Sequence, residues 1–225
     1  MHIEPGIVNG AKITLSYATA AGAATYMVKE AASAFGVSGA ISLAVRSVMA
    51  TAAAFTFFQV LPHFPVGVSE VHFILGSTLF LILGAAPAAV GLAMALLLQG
   101  MFFAPTDLPQ YFINVTTLLV PLFALKAVAN RMIAPGTAYV DLKYTQALAL
   151  STAYQGGVVA WVGFWAFYGQ GFGAETMTSV LTFGGAYMLV VLIELVADLA
   201  VLAAAKTMRG LNGSGLVTPR LYNAA

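Results

Sequence analysis

Residues 71–103 read VHFILGSTLFLILGAAPAAVGLAMALLLQGMFF, 33 residues without a single charge. A bilayer core about 30 Å thick is crossed by about 20 helical residues. The stretch is too long for one ordinary span and short for two. Gly84-Ala85-Ala86-Pro87 lies near its middle, with Pro87 placed as the first residue of a new helix, where the missing N–H costs nothing. We read two short spans, residues 71–84 and 87–103. Working outward, further spans are expected at residues 10–28, 47–61, 112–129, 147–167 and 180–205. The total is an all-α integral membrane protein, a bundle of about seven transmembrane helices.

Charge placement supports that count. With it, Lys29, Arg46, Arg131, Lys143, Lys206, Arg209 and Arg220 fall on one side, and Glu4, Glu70, Asp107 and Glu175 on the other. Basic residues are retained on the cytoplasmic side. Reading residues 71–103 as one span would split the later basic residues between both sides. The expected topology is N-terminus outside and C-terminus in the cytoplasm, multi-pass in the cell's inner membrane. Residues 1–205 form a single transmembrane domain that begins with a metal-binding segment. Residues 206–225 form a polar cytoplasmic tail with a flexible point at Gly213-Ser214-Gly215.

Composition agrees. The 225-residue chain is 60% apolar and 8% charged, against about 25% charged in soluble domains. Lipid, not water, is the solvent such a surface suits. The formal net charge is +1, and no basic patch is large enough to track a nucleic acid. The chain has no cysteine, which excludes disulfides and thiolate metal sites. No phosphate-binding glycine motif occurs, so ATP-driven transport would need a separate ATPase chain.

The other informative stretch is Met1-His2-Ile3. His2 is bulky, so Met1 is expected to stay on the mature chain. With Glu4 in place of a basic n-region, no cleaved signal peptide is expected. The Met1 amine and the His2 amide nitrogen close a five-membered chelate ring on one metal ion. The same amide and the His2 imidazole close a six-membered one. Such nitrogens in one plane suit Ni(II) or Cu(II), with Co(II) near in the affinity series. A frayed polar terminus is the commoner fate of such a dipeptide. The further nitrogen can come from His63 or His72, both expected on the outer face with His2.

Glu70, two residues before His72, can orient that imidazole or ligate directly. Gln99 and Asn114 lie within or at the edge of spans, where amides face the bundle interior as interhelical glue or as support to a site. Glu194 and Asp198 are four apart, on one face of the last span. Intramembrane acids suggest a cation path, and with it a stand-alone cation-coupled secondary transporter. Docking to a partner, or pairing with Lys126, is the preferred reading for these two. A membrane protein of purely structural role, with no substrate, is a further alternative.

Taken together, the chain resembles the CbiM/NikM family, the substrate-capture (S) components of energy-coupling-factor transporters for cobalt and nickel. Members begin Met-His-Ile followed by Pro-Asp-Gly; this chain begins Met1-His2-Ile3-Glu4-Pro5-Gly6. Their Pro-Gly-Gly-Thr-Ser-Gly-His loop is matched loosely by Pro65-Val66-Gly67-Val68-Ser69-Glu70-Val71-His72. The Leu-rich helix ending in Gln is matched by Ala95-Leu96-Leu97-Leu98-Gln99, and a following Asn by Asn114. The resemblance implies capture of Co(II) or Ni(II) as substrate, with Met1, His2 and His72 as ligands and no resident cofactor. It implies a non-enzymatic subunit working with a transmembrane scaffold (T) subunit, two ATPase subunits and a small accessory membrane protein. The loop departs from the family pattern by lacking two glycines and a threonine and by carrying Glu70, a ligand type that suits harder ions such as Mn(II).

Overall fold

A computed structural model describes residues 3–223 of the chain. Its α-helices are α1 (Thr14–Phe55), α2 (Gly76–Leu83), α3 (Ala85–Phe102), α4 (Tyr111–Met132), α5 (Tyr144–Gln170) and α6 (Ala174–Thr207). A small antiparallel hairpin, β1 (Phe64–Val66) and β2 (Ser69–Val71), stands between α1 and α2, with Pro65 opposite Glu70. Five helical stretches among the described residues are long and apolar enough to cross a membrane.

The helix count is thus six, not the expected seven. The first two expected spans share one helical stretch, Gly10–Val60, built on α1, which would run about 63 Å if straight. It is broken at Gly39, whose φ of 77° and ψ of 167° are non-helical. Only glycine adopts that conformation without strain. On one arm of α1, Tyr17, Tyr26 and Glu30 meet Phe112, Phe123 and Lys126 of α4 in the same order. On the other arm, Arg46, Ala50 and Phe55 meet Leu83, Gly91 and Phe103 at α3. The short 3₁₀ turn Pro105–Gln110 joins α3 to α4 as antiparallel neighbours, so the arms of α1 run in opposite directions.

Lys29 and Glu30 were expected to end the first span, but the helix continues past them. The run Ala31-Ala32-Ser33-Ala34 favours helix, and Glu30, 8% exposed, is neutralised by an ion pair with Lys126. The third expected span is an eight-residue helix, α2, about 12 Å long, preceded by non-helical residues. Gly84, at φ 94°, separates it from α3.

The interior is largely apolar, and large apolar side chains also cover much of the outside, as a lipid solvent allows. On α6, Leu189, Leu192, Ile193 and Val196 are exposed, while Tyr187, Glu194 and Asp198 are buried. The tail is packed rather than loose. Thr218 N–H donates to the Ile82 carbonyl at 2.8 Å, and Ser42 Oγ donates to the Gly215 carbonyl at 2.6 Å. Val217 and Leu221 are buried.

Candidate metal centre

The N-terminal segment enters the bundle as an added strand. Ile3 forms an antiparallel bridge with Ser69 of β2, and Glu4 N–H donates to the Val68 carbonyl at 3.1 Å. Ile3 N–H donates to Asn114 Oδ1 on α4 at 2.9 Å. Gln110, beside the start of α4, donates its amide to the Glu4 carbonyl at 3.4 Å. Ile3, Ile7 and Val8 are buried. The strand fits because glycines admit backbone on both sides. A Cβ on Gly169 would stand 2.0 Å from the Ile7 carbonyl oxygen, and one on Gly67 would stand 2.2 Å from the Ser179 carbonyl oxygen of α6. Gly67 also takes φ 61° at the hairpin turn.

His72 follows directly from this pairing. It lies three positions beyond Ser69, the partner of Ile3, and is 2% exposed. Its ring packs beside Phe58 at 5.2 Å and His63 at 6.2 Å between centroids. His63 is half-buried, with Nδ1 3.2 Å from the Leu61 carbonyl oxygen. Gln99 is buried and donates its amide to the Phe58 carbonyl and to Gln59 Oε1, both at 3.2 Å. It thereby fastens the end of α3 to the π-helical turn Thr56–Val60 that carries Phe58 against His72. Asn114 is buried too and holds the incoming strand. Met1 and His2, the other expected ligands, lie outside the described residues. Among the described residues no group of three or more His, Cys, Asp or Glu side chains is arranged to hold a metal.

The rim of the segment is acidic. Burial raises the Glu4 carboxyl above its ordinary range, and the charges of Glu70 and Asp107 push it the same way. A concentration of carboxylates on one face draws cations toward it. Glu70 is half-buried here, in the hairpin position opposite Pro65.

Glu194 and Asp198 do not pair with Lys126, which is taken by Glu30. They point inward and hold the chain just after His72. Glu194 Oε1 accepts the Ile74 N–H at 2.7 Å and the Leu75 N–H at 3.1 Å, and Oε2 accepts the Gln155 amide. Asp198 accepts the hydroxyls of Ser77, at 3.0 Å, and of Thr78. Leu75 takes the left-handed conformation, φ 52°, at the entry to α2. Its strain is offset by these bonds, which also place two acids at a helix N-terminus where negative charge is favoured. The acids on α6 therefore fix the shape of the segment that presents His72.

Sequence reasoning passed over Gln110, Phe58 and Gln155. Gln110 borders the fifth expected span, and its amide bond to a residue 106 positions earlier has no local sequence signal.

The chain matches the family model "CbiM: Cobalt uptake substrate-specific transmembrane region" over residues 2–210. No curated protein and no solved structure matches it.

Proposed function

The chain belongs to the CbiM family of cobalt-uptake substrate-specific transmembrane components, and from that premise we propose that Met1, His2 and His72 take Co(II) or Ni(II) directly at the outer face. As a member of this family it is a multi-pass membrane transport subunit and not a catalyst. The observation that carries the site is the seating of Ile3. Its backbone is bonded to Asn114 and bridged to Ser69, beside a buried His72.

The chemistry follows from that seating. The Met1 amine, the His2 amide nitrogen and the His2 imidazole form two fused chelate rings, and the His72 imidazole adds a nitrogen. Binding requires loss of protons from the ligating groups, so affinity rises with pH until they are deprotonated. The segment at residues 3–8, bridged to the hairpin at Ile3 and bonded to Asn114 on α4, would shield the ion from water. Glu70, with Glu4 and Asp107, draws the cation in. Gln99 and Asn114 hold the walls, and His63 stands beside His72 at the entry.

The proposed topology has seven traverses, the first two made by the arms of α1 and the third by non-helical residues 71–75 with α2. The N-terminus lies outside and tail residues 206–225 lie in the cytoplasm, following the basic residues. Broken helices of this kind place backbone and side chains at substrate depth. A scaffold subunit and two ATPase subunits would drive reorientation and release, with a small accessory membrane protein alongside.

Isothermal titration of Co(II) and Ni(II) into the purified protein tests the ligand set. His2→Ala is expected to abolish tight binding and His72→Ala to weaken it by about a hundredfold, in line with loss of a metal ligand or its support. Wild-type affinity in either variant overturns the assignment.

A further inference from the structure

The end of the molecule away from His72 carries a second polar site. Arg46 lies twelve residues before Phe58, about 18 Å along the helix, and is 2% exposed. Its Nη1 donates to the Leu83 carbonyl at 2.8 Å and its Nε to the Ser42 carbonyl at 3.3 Å. Its Nη2 is buried with no hydrogen-bond partner among the described residues. Arg46 lines a cleft of about 380 Å³ together with Gly84, Ala86, Lys126, Tyr139 and Arg220. At about 30 Å³ per water, that is room for roughly a dozen waters or for a phosphate ester.

Three features of the cleft favour an anion. The first turn of α3 opens into it at Gly84-Ala85-Ala86. First-turn amides have no partner within their own helix, and the helix dipole places positive potential there. The lining charges are Arg46, Lys126 and Arg220 against Glu30. The Glu30–Lys126 pair cancels, which leaves two arginines. Arg220 comes from the tail, lies over the Tyr139 ring at 5.1 Å, and has a buried Nε with no partner. A guanidinium buried without partners for all its donors is costly unless an acceptor meets it, and a phosphate presents the matching fork.

We propose that this cleft binds a phosphate group, and specifically the headgroup of an anionic phospholipid. The arms of α1 part here at Gly39, and Val37 and Ser38 border the opening, so a headgroup can enter from the bilayer surface. The bound headgroup ties α1, α3 and the tail together, since Arg46, the α3 N-terminus and Arg220 all face it. The proposal is independent of the metal site, whose described residue His72 lies at the opposite end.

The test uses the full chain purified in neutral detergent and followed by tryptophan fluorescence on heating. Phosphatidylglycerol, phosphatidylcholine and inorganic phosphate are added in separate series. Phosphatidylglycerol is expected to raise the melting temperature by several degrees and phosphatidylcholine to leave it unchanged. Arg46→Gln is expected to abolish the response, and Arg220→Gln to weaken phosphatidylglycerol binding about tenfold, the scale of one charge-assisted bond. Lys206→Gln, outside the cleft, is expected to respond as wild type. If inorganic phosphate alone gives the full shift and displaces the lipid, the phosphate site stands and its ligand is the free anion. Should Arg46→Gln fail to fold, Arg220→Gln decides. Equal responses to the two lipids, or unchanged phosphatidylglycerol binding in Arg220→Gln, overturn the proposal.

Discussion

Replacing Asn114 by Leu perturbs the docking of the N-terminal segment. Asn114 Oδ1 accepts the Ile3 N–H at 2.9 Å, and both residues are 2% exposed. Leucine keeps the branching and the number of heavy atoms but removes the acceptor, leaving Ile3 N–H buried without this bond. A buried group stripped of its partner costs about 1–3 kcal/mol. The penalty falls on docking alone, because an undocked Ile3 N–H can bond to water. The other fastenings remain, namely the bridge to Ser69, the Glu4–Val68 bond at 3.1 Å and the buried Ile3 side chain. Burying that side chain contributes about 1.5–3 kcal/mol. Docking is therefore weakened rather than lost. If capture requires the docked strand, Co(II) affinity falls by the same free energy, about 5- to 150-fold. Asn114→Asp, which keeps an acceptor at this position, is expected to lie nearer wild type. Calorimetric titration measures the affinity, and amide exchange at residues 3–8 measures docking. Faster exchange with unchanged affinity would refute the link between the strand and the metal. Unchanged exchange would refute the role given to Asn114.

Two further outcomes follow from the same geometry. Glu194→Ala leaves the Ile74 and Leu75 N–H groups and the Gln155 amide without their acceptor. It is expected to lower the melting temperature and the metal affinity together, with Glu194→Gln intermediate because one oxygen remains. Loss of stability at full metal affinity would show that the α6 acids do not shape the His72 segment. The second outcome concerns pH. Glu4 is raised above its ordinary value of 4.5 by burial and then by Glu70 and Asp107, so the folded state holds its proton more tightly than the unfolded one. Its contribution is fully present below pH 4.5 and is lost as pH rises through the higher folded value. Metal-free docking, followed by amide exchange, is therefore expected to weaken as pH rises through that window. Glu4→Gln should remove the slope, and an unchanged slope would contradict the assignment. The trend is opposite in sign to metal binding, which strengthens as imidazole loses its proton, so the two are separable.

Membrane class was legible in the sequence because composition alone decides the solvent. The spans were legible where apolar runs are bounded by charge, as at α4, α5 and α6. They were not legible at α1. Lys29 and Glu30 look like a boundary, yet a charge at helix depth is tolerated once Lys126, 96 positions away, neutralises it. The actual break is Gly39, one of 22 glycines, and its Ser38-Gly39 dipeptide is only a weak turn signal. The third span misled for a related reason. Its apolar run is continuous, but the residues just before α2 are held out of the helix by Glu194 on α6, a tertiary effect without local signature. Similarly, the tail looked loose by composition and is ordered by single long-range bonds such as Thr218 to Ile82. For the candidate site, the position of His72 beside the N-terminal strand depends on an antiparallel bridge across 66 residues. The histidine pattern offered either His63 or His72 beside the terminus, and the family resemblance singled out His72. Met1 and His2 rest on the chelating chemistry of the terminus and on that resemblance.

The most direct measurement compares metal binding by the protein with its free native N-terminus and by a version carrying a few residues before Met1. Ni(II), Co(II), Zn(II) and Mn(II) are titrated into each. The account predicts one equivalent of Co(II) or Ni(II) bound by the native version and no tight binding by the extended one, because the proposal makes the Met1 amine a ligand and an extension removes that amine. Equal binding by both versions would contradict it.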